Sequence, residues 1–401
     1  MTGPIARCQS CSSADLDLVV SLGNLAPCND FRRIGEPPRE QITYPADLLQ
    51  CAKCELVQLG FVAPQDVVFP SSYPYTSSTT RALRENFTHL AADVRRFEIL
   101  KPNDLVVDIG GNDGNLLSNL SDYRRLNVTP EDMGKRGEER GIPHLQRYFD
   151  QGAADLIVST LGKARLVTAT NVFAHVPDPH GFVAGVLSLL DENGVFVSEH
   201  TYWGDTVAGL QWDTAYHEHQ RYYSAASLTT LLAAHGLSVR IAHRIPTHGG
   251  SIRVYAARPG HAQWLHDRGE RMVDEGCSLE QVRGFAARVA DSRRKLWSLL
   301  GSIDGRVVGI GAPSRAGTLL GYTGIDEHVM PYVCETAGSH KVGHYFPGTR
   351  IEVVDEARLY EEQPECAMLL SWHIADELKA ALRAKGFTGK FIVPLPEVRV
   401  E

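Results

Sequence analysis

Apolar and polar positions along this chain fall into a repeating order. Residues 105–109 form a short apolar run, followed by glycines and an apolar segment that can start a helix. Residues 127–128 give a weaker second strand signal, and residues 165–170 a third that ends at Asn171-Val-Phe-Ala-His175. Residues 184–190 read as helix and 194–199 as strand. Strands that alternate with helices predict a parallel, doubly wound sheet. Residues 238–242 and 251–257 then predict an antiparallel pair joined through Thr247-His-Gly-Gly250. An amphipathic helix is expected over 81–97, after a hydroxyl-rich loop at 70–80 whose Tyr73 and Tyr75 either pack or reach a polar substrate. A mixed segment over 262–300 reads as helical. The rhythm then returns, with a strand–glycine turn–helix unit at 306–320 and strand signals at 330–334, 350–354, 366–370 and 390–393. It predicts a second Rossmann-like domain.

Both glycine turns invite a ligand. Glycine lets a backbone turn tightly and approach a bound molecule, and open α/β sheets hold ligands at the carboxyl ends of their strands. In Gly110-Gly111-Asn112-Asp113-Gly114 the glycines lack the spacing of a dinucleotide fingerprint, so a turn without a ligand fits the pattern as well. The turn at 309–318 offers backbone amides, Ser314 and Arg315 near a helix N-terminus, a setting that suits phosphate. Lys341 and His340, in the loop at 338–343, stand ready to meet a diphosphate.

With 401 residues, two or three domains are expected. A net charge of −8 gives no basic field for nucleic acid or an anionic membrane. The N-terminus lacks the apolar core of a signal peptide, and no run approaches a membrane span, so a soluble, cytoplasmic protein is expected. Cysteine usage changes the picture at the N-terminus. Cys8-Gln-Ser-Cys11 and Cys51-Ala-Lys-Cys54 supply four thiolates, the donor set of a closed structural zinc site. The alternative is four reduced thiols packed as small apolar groups. Arg7, Lys53 and the knuckle amides would offset the charge of a four-thiolate site, and Cys28 is expected to be buried rather than a ligand.

The densest chemistry lies in Asp213-Thr-Ala-Tyr-His-Glu-His219. A histidine beside a carboxylate can act as a general base, with the carboxylate orienting the ring. A metal held by His217 and His219, or a solvated polar loop, are the other readings.

Taken together, these blocks resemble the sugar C-methyltransferases of deoxysugar pathways, which serve antibiotic and other natural-product biosynthesis. The resemblance rests on the two cysteine pairs, Val107-Asp-Ile-Gly-Gly-Asn-Asp-Gly114, Asn171-Val-Phe-Ala-His175 and Asp213 to His219. It continues through His248-Gly-Gly-Ser-Ile-Arg-Val-Tyr255, Gly311-Ala-Pro-Ser-Arg-Ala-Gly-Thr318 and Phe346-Pro-Gly-Thr349. It implies an α/β chain of three parts: a zinc-binding domain (1–75), a central Rossmann-like S-adenosylmethionine domain (76–260) and a C-terminal Rossmann-like domain that helps hold a nucleotide-sugar (261–401). It assigns S-adenosylmethionine to Asp108, Gly110, Asn112, Asp113, Gly114, Asn171, Phe173 and His175, and zinc to Cys8, Cys11, Cys51 and Cys54. His219 is the implied base, with Glu218, Tyr216 and a tyrosine of the 73/75 pair beside it. His217, His248, Ser314, Arg315 and Lys341 are the implied contacts of a nucleoside-diphosphate (dTDP) ketosugar, and a monomer is expected. The alternatives are a sugar O-methyltransferase or a silent nucleotide-sugar binder. In two places the sequence departs from the family's pattern. Thr129 stands where an acid for the cofactor ribose is expected, with Glu131 or Asp132 close enough to replace it. The loop at 334–343 lacks the family's Asn-Pro.

Overall fold

The computed structural model describes residues 2–37, 40–69, 77–79, 81–261, 265 and 277–401. Tyr73, Tyr75 and most of the segment 262–276 lie outside the described residues. Among the described residues no helix is long and apolar enough to cross a membrane.

The central sheet has seven strands in the order Ser238–Ile245, Ser251–Ala257, Leu190–Thr201, Ala164–Thr170, Leu105–Ile109, Arg124–Val128 and His144–Leu145. The five from Leu190–Thr201 to His144–Leu145 run parallel, and Ser251–Ala257 joins them antiparallel. Every residue of Leu105–Ile109 is buried, as a central parallel strand covered on both faces requires. Helix Arg81–Arg96 lays Leu83, Phe87, Leu90, Ala91 and Val94 onto this sheet at helical spacing. The next helices are fixed by their caps. Asp150 accepts from Ala153 N–H ahead of Gln151–Leu161, and Asp178 accepts from His180 and Gly181 N–H ahead of Pro179–Leu189.

A second sheet, of eight strands, carries Val307–Ile310, Tyr332–Glu335, Glu352–Asp355, Cys366–Leu369 and Lys390–Val393 in parallel. The predicted second α/β unit is therefore present. In the described part of the expected long helix, the chain forms a short helical turn, Leu279–Val282, and then Phe285–Leu300.

At the N-terminus, Leu16–Leu25, Tyr44–Cys51 and Val57–Leu59 make an antiparallel sheet. Its fourth strand is Arg221–Tyr222, which directly follows the Tyr216–His219 block. Arg32–Arg33 in turn adds to the edge of the eight-stranded sheet. Thus each neighbour borrows a strand across the boundary, and the segment 26–33 runs between the Tyr216–His219 block and the second α/β unit.

Candidate active site

The four cysteines come first because their geometry is self-contained. Their sulfurs all lie within 4.8 Å of one another, with Cys8–Cys54 at 3.4 Å and Cys11–Cys51 at 3.5 Å. A tetrahedral zinc with Zn–S bonds of about 2.3 Å needs sulfurs about 3.8 Å apart, so the set fits. Ser10 and Cys11 N–H donate to Cys8 Sγ, and Lys53 N–H to Cys51 Sγ, which is how knuckle amides offset thiolate charge. Arg7 instead donates to the Ser12 carbonyl.

A single cavity of about 860 Å³ runs from the first glycine turn to the second α/β unit. Its floor is Asp108, Gly110, Gly111 and Asn112 at the carboxyl end of Leu105–Ile109, where α/β sheets bind ligands. Gly110 has φ +67°, and a Cβ there would lie 2.3 Å from Val172 Cγ2. A Cβ on Gly111 would lie 2.5 Å from Asp108 Oδ2 and 2.6 Å from Asn127 Oδ1. Both oxygens are buried and have no partner among the described residues, and Asp108 lines the cavity. Asp108 accepts from the Thr168 hydroxyl at 2.6 Å, and burial pushes its carboxyl up to about 7. Unspent buried acceptors beside a cavity are what a ligand donor would satisfy.

Asn171 and His175 also line the cavity, Asn171 in a left-handed conformation with φ +57°. Three other residues assigned to the cofactor lie behind the wall. Phe173 is fully buried in a stack with Phe182 and Tyr223. Asp113 accepts from the Ser77 hydroxyl at 2.6 Å and pairs with Arg140 at 3.5 Å. Gly114, at φ +74°, caps the helix Asn115–Ser118. At the expected ribose position Thr129 is buried and donates its hydroxyl to Glu131, and it is Glu131 that reaches the cavity. Asp132 pairs with Lys135 at the surface.

Tyr216, Glu218 and His219 stand midway along the same cavity. His219 Nδ1 lies 3.2 Å from the Thr214 carbonyl, which can only accept, so this nitrogen carries the proton. Nε2 therefore holds the lone pair, and the Tyr216 hydroxyl donates to it at 3.0 Å. Burial first, then the neighbouring His175, keeps the His219 ring well below its usual range and hence neutral. His175 donates from Nδ1 to the Glu218 carbonyl at 2.6 Å, and its ring centroid lies 5.0 Å from that of His219.

Two sequence expectations change here. The Glu218 carboxylate does not orient His219, because that acceptor is the Thr214 carbonyl. Instead Glu218 Oε1 accepts from the Cys28 thiol at 3.0 Å and from the Asn29 amide. Burial and the Glu218 charge hold Cys28 protonated, as a donor must be. His217 turns away from the cavity, donates to the Pro45 carbonyl at 3.2 Å and packs on Tyr44, so it shares no metal with His219. Among the described residues the four cysteines are the only grouping with metal-ligand geometry.

Ser314, Arg315, Lys341 and His248 line the far end, joined by His373, which the sequence reading did not single out. Arg315 is clasped by Asp213 through contacts of 2.8 and 2.7 Å, and the Trp372 indole donates to the same carboxylate at 2.7 Å. The Ala312 amide is taken by Glu335 at 2.8 Å, and Lys341 donates to the Ala312 carbonyl at 2.6 Å. The second turn thus commits its Ala312 amide, the Arg315 guanidinium and the Lys341 ammonium to protein partners. Cys28, Asn29, Asp213 and His373 meet the site only through the tertiary fold. The one sequence signal for His373 is its place just after Cys366–Leu369, at a strand's carboxyl end.

Comparison with known proteins extends this picture along the whole chain. Three family profiles match in series: a zinc binding domain over residues 8–69, a methyltransferase domain over 81–240 and a C-methyltransferase C-terminal domain over 246–396. A curated relative, the C-methyltransferase NovU of Streptomyces niveus, is 31% identical over 411 residues, covering 99% of this chain and 97% of that one. Solved structures that align include the magnesium protoporphyrin IX methyltransferase of Synechocystis PCC 6803 with bound SAM (16% identity, TM-score 0.33, 44% of this chain and 79% of that one). Another is a SAM-dependent methyltransferase from Anabaena variabilis (15% identity, TM-score 0.34, 42% and 83%). Both scores are too low to carry weight.

Proposed function

This chain belongs to the C-methyltransferase family, and from that premise we propose that it methylates the carbon beside the ketone of a nucleoside-diphosphate ketosugar. One observation carries the reading: a histidine with a fixed tautomer, Nε2 lone pair inward, shares one cavity with a glycine floor that has unspent acceptors. The proposed units are 1–75, 76–260 and 261–401.

A hydrogen on a carbon beside a ketone is acidic enough for a positioned base to remove. His219 Nε2 takes it, and Nδ1 stays tied to Thr214 so that the ring cannot turn away. The resulting imidazolium forms against the partial charge of that carbonyl. Tyr216, displaced from Nε2 by the substrate, donates to the developing enolate oxygen, as a preorganised oxyanion donor would. Its phenol is held protonated by burial and by Glu218, so it stays a donor. Glu218 is pinned by Cys28 and Asn29 and faces Tyr216, whose phenol it helps keep protonated. S-adenosylmethionine, when bound, supplies an electrophilic methyl group. Asp108, Gly111 and Asn112 would hold it so that the enolate carbon meets that methyl in line, and such positioning supplies much of the acceleration. Glu131, steadied by Thr129, is the acid available to the ribose hydroxyls.

The reading is tested with a panel of 4-keto and 3-keto deoxysugar nucleotides, analysed by mass and NMR. A new carbon-linked methyl group is expected, and His219→Ala should lower kcat by about 10²–10⁴-fold, the usual worth of a positioned base. An oxygen-linked methyl group would overturn it.

A further inference from the structure

At the far end of the cavity the charges cancel. Arg315 is spent on Asp213, both buried. Lys341 faces Glu335 and Glu218. The fixed cations on this wall are therefore matched by fixed carboxylates. A diphosphate carries several negative charges, and burying them without new positive partners is costly.

Two imidazoles complete the wall. His248 and His373 line the cavity beside Ser314, Arg315 and Lys341. Among the described residues, His373 Nδ1 is buried without a partner and no hydrogen bond holds the His248 ring. His373 follows Trp372, which is fixed to Asp213 and lies 4.7 Å from the Arg315 guanidinium. His248 sits in the turn Thr247–Gly249 at φ 55°, a left-handed conformation that side chains rarely adopt. Behind that turn, Gly249 closes on Gln211 and Gly250 on Asp205, which is paired with Arg244. The turn therefore holds the His248 ring at the cavity.

The other two histidines of the cavity differ. His175 and His219 both give their Nδ1 proton to a backbone carbonyl. Their tautomers are set, whereas no hydrogen bond among the described residues sets those of His248 and His373.

We propose that His248 and His373 form the anion-recognition pair of this cavity and take up protons as the substrate's diphosphate binds. The inference rests on the nucleotide-sugar reading above and adds to it a mechanism of recognition. Without ligand, burial and the Arg315 charge hold both rings neutral, His248 at about 4 and His373 at about 3. A bound diphosphate supplies the opposite charge, so each ring gains a proton and becomes a charge-assisted donor. The proton comes from solvent, no covalent bond is made, and His219 keeps its lone pair.

The test is calorimetric titration of the full-length zinc-loaded protein with dTDP and UDP, in buffers of differing ionisation enthalpy. Net proton uptake is expected, with affinity falling as pH rises, by about tenfold per pH unit for each proton taken up. His248→Gln and His373→Gln should each reduce the uptake, and the double variant should abolish it. Titration with S-adenosylmethionine checks that every variant is folded. Diphosphate binding without proton uptake, or uptake unchanged in the double variant, overturns the proposal. If neither diphosphate binds while S-adenosylmethionine still does, the nucleotide reading itself fails, and this inference with it.

Discussion

The two glycine turns follow one plan and end in opposite states. Each leaves a buried parallel strand through a left-handed glycine, Gly110 at φ +67° and Gly311 at φ +80°, and runs on into a helix. Around the first, Asp108 Oδ2 at the cavity floor and Asn127 Oδ1 behind Gly111 have no partner among the described residues. Around the second, Glu335 takes the Ala312 amide, Lys341 takes the Ala312 carbonyl and Asp213 takes Arg315. Glycine at a strand end allows close approach; side chains brought in by the tertiary fold decide whether a ligand or the protein itself makes it. The first turn is a floor, and the second is a latch that holds the C-terminal unit against Asp213.

Zinc removal should separate the two most strongly. The N-terminal sheet reaches the helix after the second turn through Leu25 and Cys28, close to Gly321 and Gly317, and it supplies the donors to Glu218. Structural zinc contributes about 10–16 kcal/mol in small zinc-finger peptides, so stripping it should unfold this sheet. Methyl transfer is expected to vanish on chelation. Calorimetric affinity for S-adenosylmethionine should change by less than about 0.7 kcal/mol, roughly threefold. A parallel collapse of cofactor binding would show that the floor depends on the zinc domain.

One alanine substitution in each turn gives a smaller contrast. In Gly111→Ala the new Cβ crowds Asp108 and Asn127, and overpacking of this kind costs about 1–3 kcal/mol, expected here as weaker cofactor binding. Gly311→Ala should cost about 1–2 kcal/mol of stability in urea, from its left-handed backbone, and leave cofactor affinity unchanged. Equal effects of both on cofactor affinity would erase the distinction.

The smallest effect is a pH dependence. Asp108, raised to about 7 by burial, is mostly neutral below that value and ionised above it. A sulfonium cation favours the ionised form, so cofactor affinity should rise a few-fold as pH climbs through about 7, with proton release on binding. Stability runs the other way. The folded state holds this proton more tightly than the unfolded chain, so its contribution is greatest at low pH and is lost as pH rises through about 7. Asp108→Asn should flatten the binding profile; a profile unchanged by that substitution would remove Asp108 from the cofactor.

Much of this was legible in the residue pattern. The runs at 105–109, 251–257 and 390–393 predict strands with the observed bounds, because β-branched or aromatic residues recur in each. Residues 127–128 predict only the end of the strand Arg124–Val128, since Arg124 and Arg125 carry no burial signal. The helix Pro179–Leu189 starts earlier than its apolar stretch, at the Asp178-Pro179 cap. The strands Arg32–Arg33 and Arg221–Tyr222 were illegible, because two residues have no period. The site followed the same rule. His219 stood out through its own block, but its partner is a backbone carbonyl, and Glu218 is held from Cys28 and Asn29, nearly two hundred residues away. Such contacts leave no local trace.

The central claim is that His219 removes a proton from the carbon beside a ketone. It is tested most directly by incubating the protein with S-adenosylhomocysteine and a nucleoside-diphosphate ketosugar in deuterium oxide, so that no methyl group can be transferred. Deuterium should enter the carbon beside the ketone in the wild-type protein, and this exchange should be lost in His219→Ala. Exchange that persists in the variant, or no exchange with a substrate that is methylated in the full reaction, would contradict the account.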